Sequence, residues 1–290
     1  MQLKLDRVSK QYKNKIAVDR ISMELSPGVY GLLGANGAGK TTLMRMLCGI
    51  LDPDAGEITL DGISVKEEEY RDKLGYLPQE FGCYPEFTAL DFLVYIAALK
   101  GISKARAKKK ARELLSYVGL EGQEKKKVRT FSGGMRQRLG IAQVLLNEPS
   151  VIILDEPTAG LDPKERVRFR NMISKLGSEA IVLLSTHIVS DVEYIADTIL
   201  VMKDGKMLHS GRREEILKAV SGKVWECEVT QDAMAGLTEK YNVVNVREEH
   251  GKYCLRLIAE EKPNETAKVE EPTLEDLYLY YFSEETEGMR

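Results

Sequence analysis

The segment Gly34–Thr42 reads GANGAGKTT and follows the apolar run Val29–Leu33, a spacing that suits a phosphate-binding loop between a strand and a helix. Glycines let the backbone close around an anion, so that successive N–H groups point inward. Lys40 adds a cation for the β- and γ-phosphates, and the Thr41 hydroxyl can ligate Mg²⁺. The alternative is an ordinary glycine-rich turn. The residues predicted to bind the nucleotide phosphates are Gly34, Ala35, Asn36, Gly37, Ala38, Gly39, Lys40, Thr41 and Thr42.

Two adjacent carboxylates, Asp155 and Glu156, follow the apolar run Val151–Leu154. In open α/β sheets, ligands bind beyond the carboxyl ends of the strands. Asp155 is therefore suited to hold Mg²⁺ through water, and Glu156 to polarise the water that attacks a γ-phosphate. A solvated acidic turn, the alternative, does not explain the four apolar residues before the pair.

Length and charge limit the class of protein. The 290 residues suffice for one large α/β domain plus a small unit. A net charge of -3 gives no support for general nucleic-acid binding. The sequence shows no signal peptide and no apolar stretch long enough to span a bilayer, which predicts a cytosolic chain with any membrane role exerted through a partner.

The order of the predicted elements indicates how these residues are positioned. Alternating apolar residues predict antiparallel strands on both sides of the phosphate-binding loop, and strands alternating with helices predict a mainly parallel sheet. Helical spacing dominates residues 81–148, with Thr88 as a helix N-cap. We predict an α/β domain over residues 1–220 and a small α+β unit over residues 221–290, with residues 260–270 as a loop.

Six segments in order resemble the ATP-binding-cassette (ABC) ATPase family over about residues 1–218. Two are the segments above, Gly34–Thr42 (Walker A) and Val151–Glu156 (Walker B). The other four are Gln79 in the Q-loop, Phe131–Arg136 as the signature motif, Ala159–Asp162 as the D-loop and the switch histidine His187. This resemblance implies the P-loop NTPase fold of that family, with an antiparallel β subdomain and a helical insertion.

The resemblance also implies roles for individual residues. Catalysis would involve Glu156, His187 and Gln79, and Mg²⁺ would contact Thr41, Gln79 and Asp155. Tyr12 would stack on adenine. Further nucleotide contacts would come from Val18, Gln79, Ser132, Gly133, Gly134, Asp155, Asp162 and His187.

The family pattern implies partners as well. The signature motif would grip the γ-phosphate bound to another subunit, in a head-to-tail homodimer or a pseudo-dimer with a related ATPase. A membrane permease would dock in a groove near Phe81, Gly82, Tyr84, Pro85 and Thr88. The C-terminal stretch Glu271–Tyr278 looks like the tail of exporter-type ATPases, and deletion of residues 221–290 is predicted to alter dimerisation or coupling rather than ATP chemistry.

Two residues depart from the family pattern, and two other functions stay open. Met135 stands where the family usually has Gln, and Phe131 where Leu is commoner; these changes bear on the hydrolysis rate or the dimer affinity. The alternatives to a transporter motor are a soluble ABC ATPase acting on ribosomes or DNA, and a regulatory module that binds ATP with little turnover.

Overall fold

The computed structural model describes residues 1–249 and 251–286. Its strands are β1 (Leu3–Tyr12), β2 (Lys15–Leu25), β3 (Gly28–Leu33), β4 (Ala55–Leu60), β5 (Ile63–Ser64), β6 (Leu74–Leu77), β7 (Val151–Asp155), β8 (Ile181–Ser185), β9 (Thr198–Lys203), β10 (Lys206–Gly211), β11 (Val224–Val229), β12 (Asn242–Glu249), β13 (Lys252–Ile258) and β14 (Lys268–Val269). Its α-helices are α1 (Lys40–Leu47), α2 (Glu68–Asp72), α3 (Ala89–Leu99), α4 (Lys104–Tyr117), α5 (Gly133–Val144), α6 (Pro163–Gly177), α7 (Val189–Ile195), α8 (Arg213–Leu217), α9 (Gln231–Lys240) and α10 (Leu274–Thr286).

A six-stranded central sheet positions the predicted chemistry. Its strand order is β10-β9-β3-β8-β7-β6, and all strands run parallel except the edge strand β10. Every residue of β7 and β8 is buried, as expected for strands covered on both faces. The register pairs Leu32 with Ser185 and Ser185 with Asp155, so the chain leaves all three strands at the same edge. The predicted mainly parallel sheet is confirmed.

A second, antiparallel sheet of order β2-β1-β4-β5 packs beside α1. Leu3 and Leu5 of β1 share a buried apolar cluster with Leu43 and Met44 of α1 and with Ile153 of the central sheet. Because apolar residues alternate along β1 and β2, one face of this sheet is buried while the other meets solvent. The packing of α1 between the antiparallel sheet and the central sheet holds the phosphate-binding loop in place.

The segment 81–148 contains the helices α3, α4 and α5, joined by loops. Thr88 begins α3, and its Oγ1 accepts a hydrogen bond from the Asp91 N–H at 3.1 Å. Gly101, at φ 73°, ends this helix in the left-handed conformation that glycine adopts readily. Helix α5 then packs on β6, so the helical segment covers one face of the central sheet.

The C-terminal region divides between two cores. A third sheet of order β12-β13-β11-β14 and α9 enclose their own apolar cluster, which includes Cys227 and Leu255. Helix α10 instead inserts Leu274, Leu277 and Phe282 into the main apolar cluster, which also contains residues of the central sheet. The predicted loop over residues 260–270 is wrong at its end, where β14 pairs with β11 through backbone hydrogen bonds that side-chain patterns do not reveal. No helix within the described residues is both long and apolar enough to cross a membrane.

Candidate nucleotide site

The glycines of Gly34–Thr42 are required by close backbone packing. Gly39 has φ 107°, and a Cβ placed on it would lie 2.1 Å from the Ala17 carbonyl oxygen. A Cβ on Gly34 would lie 2.4 Å from the carbonyl oxygen of Met202. Among the described residues, no side chain caps the start of α1, so its first N–H groups face the loop and can bind an anion.

A surface cavity of about 280 Å³ lies along this loop. Its lining residues come from β1, β2, the loop and α1, and they are Tyr12, Lys15, Ala17, Asn36, Gly37, Gly39, Lys40, Thr41 and Thr42. Tyr12 is 46% exposed, which leaves it open to stack on a planar base. Lys40 Nζ donates hydrogen bonds to the carbonyl oxygens of Gly34 at 2.6 Å and Ala35 at 3.0 Å.

The residues of β2 that line the cavity are not the one that the sequence predicted. Val18, predicted to contact the nucleotide, is fully buried in the apolar cluster between the sheets and does not line the cavity. Ala17 from the same strand lines it instead, because successive side chains of a strand point to opposite faces. Lys15, two residues earlier, also lines the cavity, with Nζ 3.4 Å from a Cβ position built on Gly37.

Asp155 ends β7 in a buried position, with 5% of its surface exposed. Its Oδ1 accepts a hydrogen bond from Ser185 Oγ at 3.3 Å. Burial, and then the neighbouring charge of Glu156, raise the pKa of the Asp155 carboxyl, while the Ser185 hydrogen bond and the charge of Lys40 oppose this shift. A buried carboxylate beside a lysine at the phosphate loop is a suitable Mg²⁺ ligand or water holder.

Glu156 and His187 contact each other directly. The His187 Nδ1–H donates to Glu156 Oε2 at 2.7 Å, and the His187 backbone N–H lies 3.4 Å from the same oxygen. Glu156 adopts a left-handed conformation with φ 50°, which is uncommon for a non-glycine residue. The Glu156 N–H donates to the Ser185 carbonyl at 2.9 Å, which ties this turn to β8.

Gln79 lies two residues beyond β6, the strand beside β7. Its side chain is exposed at the same edge of the sheet as Asp155. The structure therefore brings together the phosphate loop, Asp155, Glu156 and His187. Gln79 lies beyond the end of β6, the strand that pairs with β7. Sequence spacing alone could not show that Glu156 and His187 form a pair, because 30 residues separate them.

The signature residues occupy a different place, at the start of α5. Ser132 is the N-cap of α5, and its Oγ accepts a hydrogen bond from the Met135 N–H at 3.2 Å. Asp162 caps α6 in the same way, accepting from the Glu165 N–H at 2.8 Å. The described residues that line the nucleotide cavity do not include Ser132, Gly133, Gly134 or Asp162. The structure does not bring these two caps into the chain's own phosphate site.

The predicted partner groove contains an aromatic patch that consists of Tyr84, Phe87 and Tyr95. Tyr84 stacks on Phe87 with ring centroids 5.1 Å apart and meets the edge of Tyr95 at 5.3 Å. Tyr84 is 49% exposed and Tyr95 37%. Phe81, also predicted for the groove, is half-buried against Phe92 and contributes mainly to the core.

Comparison with known proteins agrees with this geometry. A family model described as ABC transporter matches residues 18–159. The linearmycin resistance ATP-binding protein LnrL of Bacillus subtilis (strain 168) is 32% identical, over 96% of this chain and 97% of its own length. The Nod factor export ATP-binding protein I of Burkholderia pseudomallei (strain 1710b) is 37% identical, over 78% of this chain and 74% of its own length.

A solved structure extends the comparison to the fold. It is a dimeric, post-hydrolysis state of an ATP-binding cassette bound to ADP and Pi, 27% identical to this chain. The match has a TM-score of 0.65 and covers 72% of this chain and 98% of that one. The fold, the clustered motif residues and the nearly full-length relative together show that this chain belongs to the ABC transporter family, as an ATP-binding and ATP-hydrolysing subunit that groups with relatives of the exporter type.

Proposed function

We propose that this chain powers export of a substrate through a separate membrane-spanning permease, working at the inner face of the membrane. The observation that carries the chemistry is the contact of Glu156 with His187 beside Asp155 and the phosphate loop. Export is supported by the relatives named for linearmycin resistance and Nod factor export. A drug, an antibiotic or a lipid is the class of cargo that this resemblance favours.

Glu156 is positioned to activate water. Its carboxylate follows the buried strand β7, and both contacts with His187 fall on the same oxygen, Oε2. The other oxygen can accept a proton from water as the water oxygen attacks the γ-phosphorus and the bond to the β–γ bridging oxygen breaks. His187 holds this carboxylate in place, and its second ring nitrogen can donate to a phosphate oxygen when the ring is doubly protonated.

The site fits Mg²⁺ held by few protein ligands. Mg²⁺ supplies charge neutralisation for the phosphates, and it is usually bound by one or two carboxylates, water and substrate phosphates. The described residues contain no group of three His, Cys, Asp or Glu side chains that could hold a metal by themselves. Asp155, Thr41 and Gln79 at the sheet edge are oxygen ligands of the kind and number that this mode of binding needs.

A second copy of the chain would complete the site. The helix start at Ser132 offers backbone N–H groups and a hydroxyl for a γ-phosphate. Because these residues do not line the chain's own cavity, we propose that they contact ATP on a second copy, in a head-to-tail homodimer. The related dimer bound to ADP and Pi supports dimerisation in general.

The aromatic patch is the proposed contact for the permease. Exposed aromatic rings that pack against one another form rigid apolar contacts, which are common at protein interfaces. Tyr84 and Phe87 lie between Gln79 and α3, and Tyr95 lies within α3, so movement of the Q-loop can reach the patch. We also propose that the chain does not bind nucleic acid.

Comparing the hydrolysis of native chain and Glu156→Gln tests the proposal. We expect the variant to bind ATP and to hydrolyse it about 10² to 10⁴ times more slowly, because the general base is lost. Glu179→Gln is the matched control, since Glu179 is exposed beside the other end of β8. Native turnover in Glu156→Gln would contradict its role as the general base, and absence of turnover in the native chain would favour a regulatory module.

A further inference from the structure

Arg138 lies at the junction of three helices with most of its side chain buried. It lies in α5, six residues after Ser132, and its side chain is only 14% exposed. Its Nε lies 3.1 Å from Glu165 Oε2 and 3.4 Å from the Gly134 carbonyl oxygen. Its Nη1 donates to the carbonyl oxygen of Gly119 at 2.8 Å, just beyond the C-terminal end of α4. A single guanidinium therefore joins α4, the signature motif and α6.

Glu165 extends this junction to the D-loop. It lies in the first turn of α6, and its N–H is the group capped by Asp162 Oδ1 at 2.8 Å. A Cβ placed on Gly134 would lie 3.1 Å from Glu165 Cγ, so the signature motif approaches this side chain closely. The Glu165 side chain is 17% exposed. The backbone of the signature motif and the cap of α6 thus meet at one ion pair.

The pair has properties that make its geometry specific. Arginine presents several N–H donors in a fixed plane, and here it satisfies a carboxylate and helix-end carbonyl groups together. Arg138 donates hydrogen bonds to the carbonyl oxygens of Gly134 and Gly119, and it meets Glu165 as an ion pair close to the start of α6, where negative charge is favoured. Removing Glu165 takes away the carboxylate beside the Arg138 guanidinium, whose side chain is largely buried, whereas removing Arg138 leaves Glu165 paired with the more exposed Arg168.

We propose that Arg138 and Glu165 are positioning residues that hold the signature motif and the D-loop in one fixed relation. Both segments then present their ligating groups to the second copy's nucleotide as a single unit. This inference rests on the proposed head-to-tail dimer. Neither residue lines the chain's own nucleotide cavity, so loss of the pair weakens closure of the dimer and not the first binding of ATP.

The test uses the full chain with Glu156→Gln as the parent, so that ATP is retained during the measurement. Arg138→Gln and Glu165→Gln are added singly, and the ATP-dependent monomer–dimer Kd is measured by analytical ultracentrifugation. We expect each to weaken the dimer about 10- to 100-fold, with ATP affinity of the monomer unchanged. Arg138→Lys, which keeps the charge, should recover part of the loss.

Arg168→Gln is the matched control. Arg168 also pairs with Glu165 at 3.1 Å, but its side chain is 54% exposed, so we expect little change in the dimer Kd. A parent chain that dimerises with ATP, together with an unaffected Arg138→Gln chain, would overturn the positioning role alone. A parent that stays monomeric with ATP would overturn the dimer and the positioning role together. Unchanged ATP binding by each variant excludes simple misfolding as the cause of a loss.

Discussion

The sheet edge that carries the phosphate loop, Asp155 and His187 is built differently from the two helix starts at Ser132 and Asp162. At the sheet edge, the functional side chains contact one another, through pairs such as Glu156–His187. At the helix starts, each polar side chain caps its own helix and lies outside the nucleotide cavity. This difference supports the proposal that one chain holds two half-sites, one that binds and activates ATP and another that acts on the nucleotide of a second copy.

His187→Ala should slow hydrolysis at the sheet-edge half-site strongly, although by no more than Glu156→Gln. The change removes the 2.7 Å contact that orients Glu156, together with a group that can stabilise charge on the γ-phosphate. We expect kcat to fall about 10²-fold while ATP affinity changes little. Steady-state hydrolysis and equilibrium ATP binding measure the two quantities. His209→Ala, whose ring contacts Tyr281 in the C-terminal helix, is the control, and an equal loss in both variants would contradict a specific role for His187.

Phe282→Ala tests how far α10 stabilises the domain that carries both half-sites. Phe282 of α10 is 3% exposed and packs in the main apolar cluster, so its truncation should lower the free energy of unfolding by about 3 kcal/mol. Chemical denaturation measures this. Val269→Ala, at a position that is 55% exposed, should change it little. An unaltered unfolding midpoint for Phe282→Ala would show that α10 is dispensable for the ATPase domain.

The same packing changes the expected result of deleting residues 221–290. Such a deletion removes Leu274, Leu277 and Phe282 from the main cluster. We therefore expect it to destabilise the ATPase domain as well as to alter dimerisation or coupling. The small sheet and α9 enclose an apolar cluster of their own. For these elements, a domain boundary at residue 221 stays a prediction.

The smallest expected effect concerns the pH dependence of the sheet edge. Burial raises the pKa of Asp155, so the folded chain retains this proton at pH values where the unfolded chain has lost it. The stability that Asp155 contributes is thus present below pH 3.8 and is lost as pH rises through its raised pKa. Asp155→Asn should modestly raise the melting temperature of the nucleotide-free chain at neutral pH, and weaken Mg²⁺-dependent ATP binding. A lower melting temperature would contradict a destabilising buried charge.

Local signals in the sequence predicted much of the fold and the sheet-edge half-site. The loop Gly34–Thr42, the buried strand before Asp155 and the helix starts at Thr88 and Asp162 each depend on neighbouring residues, which a sequence displays directly. The β9–β10 hairpin was missed, although Asp204–Gly205 between two apolar runs is a strong turn signal.

Contacts between distant segments could not be predicted in this way. The 2.7 Å pairing of Glu156 with His187, the junction at Arg138 and the insertion of α10 into the main core depend on tertiary packing. The choice between Val18 and Ala17 as the residue that lines the cavity could not be predicted either. Which of two adjacent strand residues faces the nucleotide is decided by how the antiparallel sheet packs, and both are small and apolar.

Mixing two inactive variants tests the division into half-sites most directly. Lys40→Ala disables the phosphate loop, and Ser132→Arg blocks the signature motif; each chain alone should lack ATP hydrolysis. In an equimolar mixture, half of the dimers would pair an intact loop with an intact signature motif, and about a quarter of the native activity should return. A mixture no more active than the separate variants would contradict a site shared between two copies.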